Sequence, residues 1–172
     1  MGSGDAAPVR RAPLAAAPVA AEPGAAEPRP EAAAPRTSLA APPEGVGAED
    51  RGMFEEANRL RAAAGLRPFR WSEALHRAAV EHSEEQRRHG YMGHGSPDPR
   101  RDDLADRLRL ADYGAARQWG EVVAMGYDGP KSVMTGWMNS RGHRKILMDL
   151  GLTEAAFSRV GAYFTGNFAT PR

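Results

Sequence analysis

Residues Ala57-Asn58-Arg59-Leu60-Arg61-Ala62-Ala63-Ala64-Gly65-Leu66-Arg67-Pro68-Phe69-Arg70-Trp71 pass from a helical pattern into an extended one. Met53, Phe54, Ala57, Leu60 and Ala64 recur at helical spacing, which predicts a helix over 50–64 that Gly65 stops. Leu66 to Trp71 then reads as a short extended link. Ser72 follows as an N-cap, with Glu73 in the first turn where the helix dipole favours a negative charge. Leu75, Ala78, Ala79, His82 and Gln86 share one side of this second helix, and Gly90 closes it.

Beyond this helix, Tyr91 to Pro99 is a Gly/Pro-rich loop. Asp102 to Asp112 predicts a third helix with Leu104, Leu108 and Ala111 inward, and Trp119 to Met125 a strand. A fourth helix runs from Pro130, a favoured first-turn residue, to Asn139, with Val133, Met134 and Trp137 as its apolar stripe. Phe157 to Phe168 has strand-like composition. Helices outnumber strands and do not alternate with them, so the fold class is α+β. Upstream, nine of the 14 prolines fall between Pro8 and Pro43, and no helical or strand period survives among them. Proline removes hydrogen-bond donors, and the few Leu and Val there cannot offset chain entropy. Residues 1–47 are therefore expected to be a disordered Ala/Pro-rich arm or linker, and 48–172 the domain.

The net charge of +1, with interleaved runs such as Arg100-Arg101-Asp102-Asp103, gives no field that would draw in nucleic acid. The absence of cysteine excludes disulfides, a thiolate nucleophile and thiolate-bound zinc. No apolar run approaches the about 20 residues of a transmembrane helix. No signal peptide is legible, because the stretch after Arg10-Arg11 is broken by proline.

Five segments, in order, carry a family resemblance. They are Ala57 to Trp71, Leu75-His76-Arg77-Ala78-Ala79-Val80-Glu81-His82, and Tyr91-Met92-Gly93-His94-Gly95-Ser96-Pro97-Asp98, followed by Gly120-Glu121-Val122-Val123-Ala124 and Gly136-Trp137-Met138-Asn139-Ser140-Arg141-Gly142-His143-Arg144. Together they resemble the CAP superfamily of cysteine-rich secretory, antigen 5 and pathogenesis-related proteins, in its bacterial form without cysteines. The resemblance implies a three-layer α-β-α sandwich with a small, mainly antiparallel central sheet. It also implies a cleft where His94, Glu121 and His143 meet, with Ser96, Ser140 and His82 around it. This chain departs from the family's pattern at Ser140, where many members have a second glutamate, at Val122 in place of Asn, and at Arg141 in place of Pro. Near the C-terminus both closing family strands compete for too little chain, so Gly166-Asn167 is expected to make a tight turn with only a stub of final strand beyond it.

Two imidazoles and a carboxylate suit a borderline-soft divalent cation, zinc above all. With Ser140 in place of a charged group, binding is expected to be weak, through His94 and His143, with Glu121 as ligand or as orienter of an imidazole. A polar network that holds loops without an ion is the other reading of the same cluster. His82 reads as a packed, hydrogen-bonded histidine, His89 as a partner of helix C-terminal carbonyls, and His76 as solvated. Ser96 reads as turn chemistry, and Trp71, Trp137 and Phe54 as core anchors.

The resemblance implies a secreted or cell-envelope location and a binding module for a divalent cation, a wall component, a lipid-like molecule or another small ligand. A metal-assisted, peptidase-like hydrolase with Glu121 as its candidate catalytic base is the alternative. A structural or adhesive domain with a vestigial cleft is the third. Shared fold supplies no common activity, so the balance leans away from an enzyme.

Overall fold

The computed structural model describes residues 38–172. In these the chain runs β1 (Ser38–Leu39), α1 (Ala48–Ala63), β2 (Arg70–Ser72), α2 (Glu73–His89), α3 (Leu104–Leu110), β3 (Ala116–Met125), α4 (Pro130–Asn139), α5 (Arg141–Leu147), β4 (Glu154–Val160) and β5 (Tyr163–Pro171). The five strands form one sheet in the order β1-β2-β4-β5-β3, antiparallel except for the β2–β4 pair.

The first two helices follow the expected local rules. Ser72 Oγ accepts from Leu75 N at 3.4 Å, and Gly90 ends α2 in the left-handed region at φ 66°. Leu75, Ala78, Ala79, His82 and Gln86 are all buried on its inward side. The third helix is shorter than the expected 102–112, because the Asp103 side chain caps it by accepting from Asp106 N at 2.9 Å. Helix α5 was not foreseen. Its buried residues His143, Ile146 and Leu147 lie three and four apart, a stripe too short to register beside the stronger pattern of α4.

The layers follow from the alternation along β5. Thr165 faces α2, taking hydrogen bonds from Ser83 Oγ (2.9 Å) and Gln86 Nε2 (3.3 Å). Phe164 and Phe168 face the other way: Phe164 meets Tyr127, and Phe168 packs on Phe69 and Phe157. Phe157 in turn stacks on Trp137 of α4 at 6.1 Å, and α1 packs against both α4 and β4. Helix α2 thus covers one face of the sheet and α1 with α4 the other, a three-layer α-β-α arrangement. Trp71, Trp137 and Phe54 are buried anchors of this core.

The C-terminal expectation is corrected. Gly166 and Asn167 do not turn; they sit mid-strand in β5, which pairs along its length with both β3 and β4. The hairpin turn is at Gly161-Ala162, where Gly161 has φ 62° and Val160 pairs with Tyr163. Both closing strands are full because the turn falls five residues earlier than the Gly-Asn dipeptide indicates. Gly166 is there for close packing, since a Cβ on it would lie 2.7 Å from the Phe157 ring and 2.9 Å from Val122 Cγ2.

Residues 38–47, assigned to the arm by composition, include β1 on the sheet edge and a turn closed by Val46 N–H to Pro43 O at 3.1 Å. Arg51 of α1 donates to the carbonyls of Pro42 and Pro43. The disorder expected for the rest of the arm, 1–37, lies outside the described residues.

Candidate functional site

The histidine of the Gly-rich loop, His94, sits between α2 and α3 and is half-buried. Its Nδ1 is 2.9 Å from Glu121 Oε1, across 27 residues of sequence. Glu121 is carried by β3 opposite Asn167 of β5, on the sheet face covered by α2. The other oxygen of Glu121, Oε2, accepts from Arg107 of α3 at 2.7 Å. Asn167, with its amide nitrogen turned toward the carboxylate, also donates to Oε2 at 3.1 Å and accepts from Ala79 N–H at 3.1 Å.

An ionised carboxylate can only accept, so the nitrogen of His94 that faces it carries the proton. Nδ1–H donates, and Nε2 is left with a lone pair. That Nε2 is buried and has no hydrogen-bond partner among the described residues. His143, from α5, is 7% exposed, and its Nε2 is likewise buried without a partner. Burial holds the His143 imidazole below its ordinary pKa, and a positive charge on His94 would lower it further. A neutral His143 at pH 7 keeps its lone pair.

Glu121 is the anionic hub. Burial pushes its carboxyl upward, but the Arg107 charge, the His94 hydrogen bond and the neighbouring imidazoles outweigh burial and bring it below the usual carboxylate range. His82 stands behind it, with Nε2 2.9 Å from Gly93 O and 3.9 Å from Glu121 Oε1. It is the packed, hydrogen-bonded histidine that its place on α2 predicts.

Ser96 serves the loop. It accepts from Asp98 N–H at 2.9 Å and donates to Glu85 Oε1 at 2.8 Å, while Tyr91 Oη donates to Glu85 Oε2 at 2.9 Å. Ser140 is the shared residue between α4 and α5; it is half-buried and its side chain caps neither helix. His76 is corrected from solvated. Its Nε2 is 2.9 Å from Asp50 Oδ2 and its ring lies 4.8 Å from that of Trp71, because α1 comes close enough to supply a carboxylate.

Arg107 escaped the sequence reading, although a signal existed. Leu104, Arg107, Leu108 and Ala111 follow the inward spacing of a helix, so Arg107 is a charge on an apolar stripe. Its NH1 donates to the backbone carbonyls of His94 and Arg101, both at 3.0 Å. Asn167 and Glu85 carry no comparable flag; Asn167 belongs to a Gly-Asn dipeptide that by composition indicates a turn.

The donor set fits a cation only in part. Two buried, unpartnered imidazole nitrogens are what a divalent ion uses, but Glu121 is already engaged on both oxygens. Among the described residues, no group of three or more His, Asp or Glu side chains is arranged to hold a metal. Any ion would therefore rest on His94 Nε2 and His143 Nε2, with water completing its shell.

The model of the cysteine-rich secretory protein family, CAP, matches residues 54–169, and the chain belongs to that family. An uncharacterized membrane protein of Bacillus subtilis strain 168, YlbC, is 32% identical over 120 residues, which are 69% of this chain and 34% of that protein. An uncharacterized protein of the same organism, YkwD, is 30% identical over 126 residues, 72% of this chain and 48% of its own. The chain thus spans between a third and a half of these relatives. Among solved structures, an extracellular protein containing an SCP domain from Bacillus anthracis strain Ames superposes with a TM-score of 0.67 at 26% identity, over 71% of this chain and 40% of that one. An outer surface protein of Borrelia burgdorferi shares the fold, with a TM-score of 0.63 at 18% identity over 70% of this chain and 90% of that one. No helix among the described residues is long and apolar enough to cross a membrane.

Proposed function

We propose that the domain is an extracytoplasmic binding module whose site takes a divalent cation, zinc most readily, through His94 and His143. The observation that carries this is the pair of buried imidazole nitrogens, on separate elements, with no hydrogen-bond partner among the described residues. Buried polar atoms are normally satisfied, so orphaned imidazole nitrogens such as these point to a ligand. Zinc would act there as a Lewis acid toward a bound ligand. His94 and His143 would supply lone pairs, while Glu121 orients His94 rather than binding the ion.

The extracytoplasmic location is supported by the extracellular protein at 26% identity and by the membrane protein among the sequence relatives. The hydrolase reading has less support. A general base works best when its pKa lies near the working pH, and Glu121 is held in the opposite direction by Arg107.

Calorimetric titration with zinc checks the proposal. Wild-type protein is expected to give weak, saturable heat that the His94→Ala/His143→Ala variant lacks. Heats near zero for both proteins would remove the cation.

A further inference from the structure

Arg107 is almost fully buried at 1% exposure and meets the site at two points. Its NH1 holds the backbone carbonyl of His94, and its NH2 holds Oε2 of Glu121, whose other oxygen holds the His94 ring. One guanidinium thus positions both the main chain and the side chain of the same histidine. We infer that Arg107 is a positioning residue for His94: it anchors the loop at the His94 carbonyl and pins side chain 121 by its Oε2 corner, so that the Oε1 corner faces the imidazole and the acceptor there fixes which ring nitrogen carries the proton. This inference rests on the reading that His94 Nε2 is the binding atom, because only the Nδ1–H tautomer leaves Nε2 free to bind.

The physical argument is one of donors and acceptors. Arg107 has no acceptor, and the Asn167 amide nitrogen points at the same oxygen. Whatever occupies the Oε2 corner must therefore be an acceptor. With glutamate the Oε1 corner is an acceptor too, so His94 donates from Nδ1. Glutamine at 121 has the same shape but only one acceptor. Arg107 and Asn167 would claim its oxygen, and its NH2 would point at His94 Nδ1. That nitrogen must then accept, the proton moves to Nε2, and the binding lone pair is lost.

Ring 15N chemical shifts report which imidazole nitrogen is protonated, with no metal present. At pH 8.5 wild-type His94 is expected as the Nδ1–H form, the one that the Glu121 acceptor selects. Finding it as Nε2–H would overturn the inference, whether or not any variant folds. Glu121→Gln is expected to switch His94 to Nε2–H while keeping the circular dichroism of the wild type. In Glu121→Gln/Arg107→Met only Asn167 remains at that corner, and its amide can turn to donate to Leu75 O instead, so the glutamine can turn with it and the Nδ1–H form should return in part. A merely structural Arg107 would lower stability without moving the tautomer. Retention of Nδ1–H in the single variant, or no return of it in the double variant, overturns the role assigned to Arg107.

Zinc affinity provides the linked readout, with a loss of about 10- to 100-fold expected in Glu121→Gln, as for other orienting partners of metal-binding histidines. If wild-type protein binds no zinc, the cation proposal falls, while the 15N pattern still decides the role of Arg107.

Discussion

His82 makes its Nε2 hydrogen bond to the Gly93 carbonyl in a place with no solvent exposure, and its Nδ1 has no hydrogen-bond partner among the described residues. Burial holds its pKa below the usual 6.5, more strongly than the nearby Glu121 carboxylate lifts it. His143 shifts in the same direction, again mainly by burial. The sign of the pH effect follows. Once pH falls below about 6.5, the unfolded chain takes up protons at these two positions and the native protein resists them. Stability therefore drops with falling pH, by at most about 1.4 kcal/mol per pH unit for each histidine, until the native groups also protonate. The lowered carboxyls of Glu85 and Glu121 contribute in the same sense only further down, below their ordinary value of 4.5. Urea unfolding at pH 7.5 and 5.5 is expected to show a clear loss of stability in the wild type and a smaller loss in His82→Gln. Equal losses in the two proteins would show that His82 does not carry the effect.

Arg61 shows what a buried charge does for an element it does not belong to. From α1 it donates to the carbonyls of Leu147 (2.8 Å) and Asp149 (3.0 Å), and through Nε to Arg67 O (2.8 Å), so it satisfies the C-terminal end of α5 and the turn beyond. Its guanidinium also lies 3.9 Å from the centre of the Phe69 ring. Arg61→Met keeps the stem but loses these bonds. It is expected to cost about 2–4 kcal/mol in urea unfolding, with faster amide exchange over 147–151 than elsewhere. Exchange raised evenly along the chain would contradict a local role. The elements themselves were unevenly legible. Helices α1, α2 and α4 announce themselves because caps and apolar stripes are local features, as at Ser72, Gly90 and Pro130. The hairpin misled, because Gly166-Asn167 is a turn dipeptide by composition but sits where the sheet needs a residue without a side chain. Of the site, His94, Glu121 and His143 were reached through the family resemblance, since separations of 27 and 22 residues lie beyond any periodicity. Arg107 could have been found as a charge on an inward helical stripe. Asn167 could not, because its partners come from α2 and β3 and nothing local marks it.

At the scale of the whole molecule, everything meets on β5. It lies between β4 and β3, buries nearly every residue, presents Thr165 and Asn167 to α2, and turns Phe164 and Phe168 toward α1 and α4. Among the described residues, the strand that carries Glu121, β3, lies at the end of the sheet order and pairs with β5. Gly166 stands at this junction, paired with Val122 on one side and Phe157 on the other. A methyl group there would come within 2.9 Å of a Val122 carbon and 2.7 Å of two Phe157 ring carbons, and both neighbours are fully buried. Neither can swing into solvent, so relief has to come from separating α4 from the sheet or bending β5. Overpacking of this kind costs about 1–3 kcal/mol. Gly166→Ala is therefore expected to lose that much in urea unfolding, whereas Gly45→Ala, with open space around its position, should change little. The consequence should also reach the site. A shift of β5 moves Asn167 relative to Glu121, so the His94 ring 15N signals of folded Gly166→Ala should move from their wild-type positions. A Gly166→Ala protein as stable as the wild type, with unchanged His94 signals, would mean that the centre of the sheet has slack that the packing around Gly166 does not show.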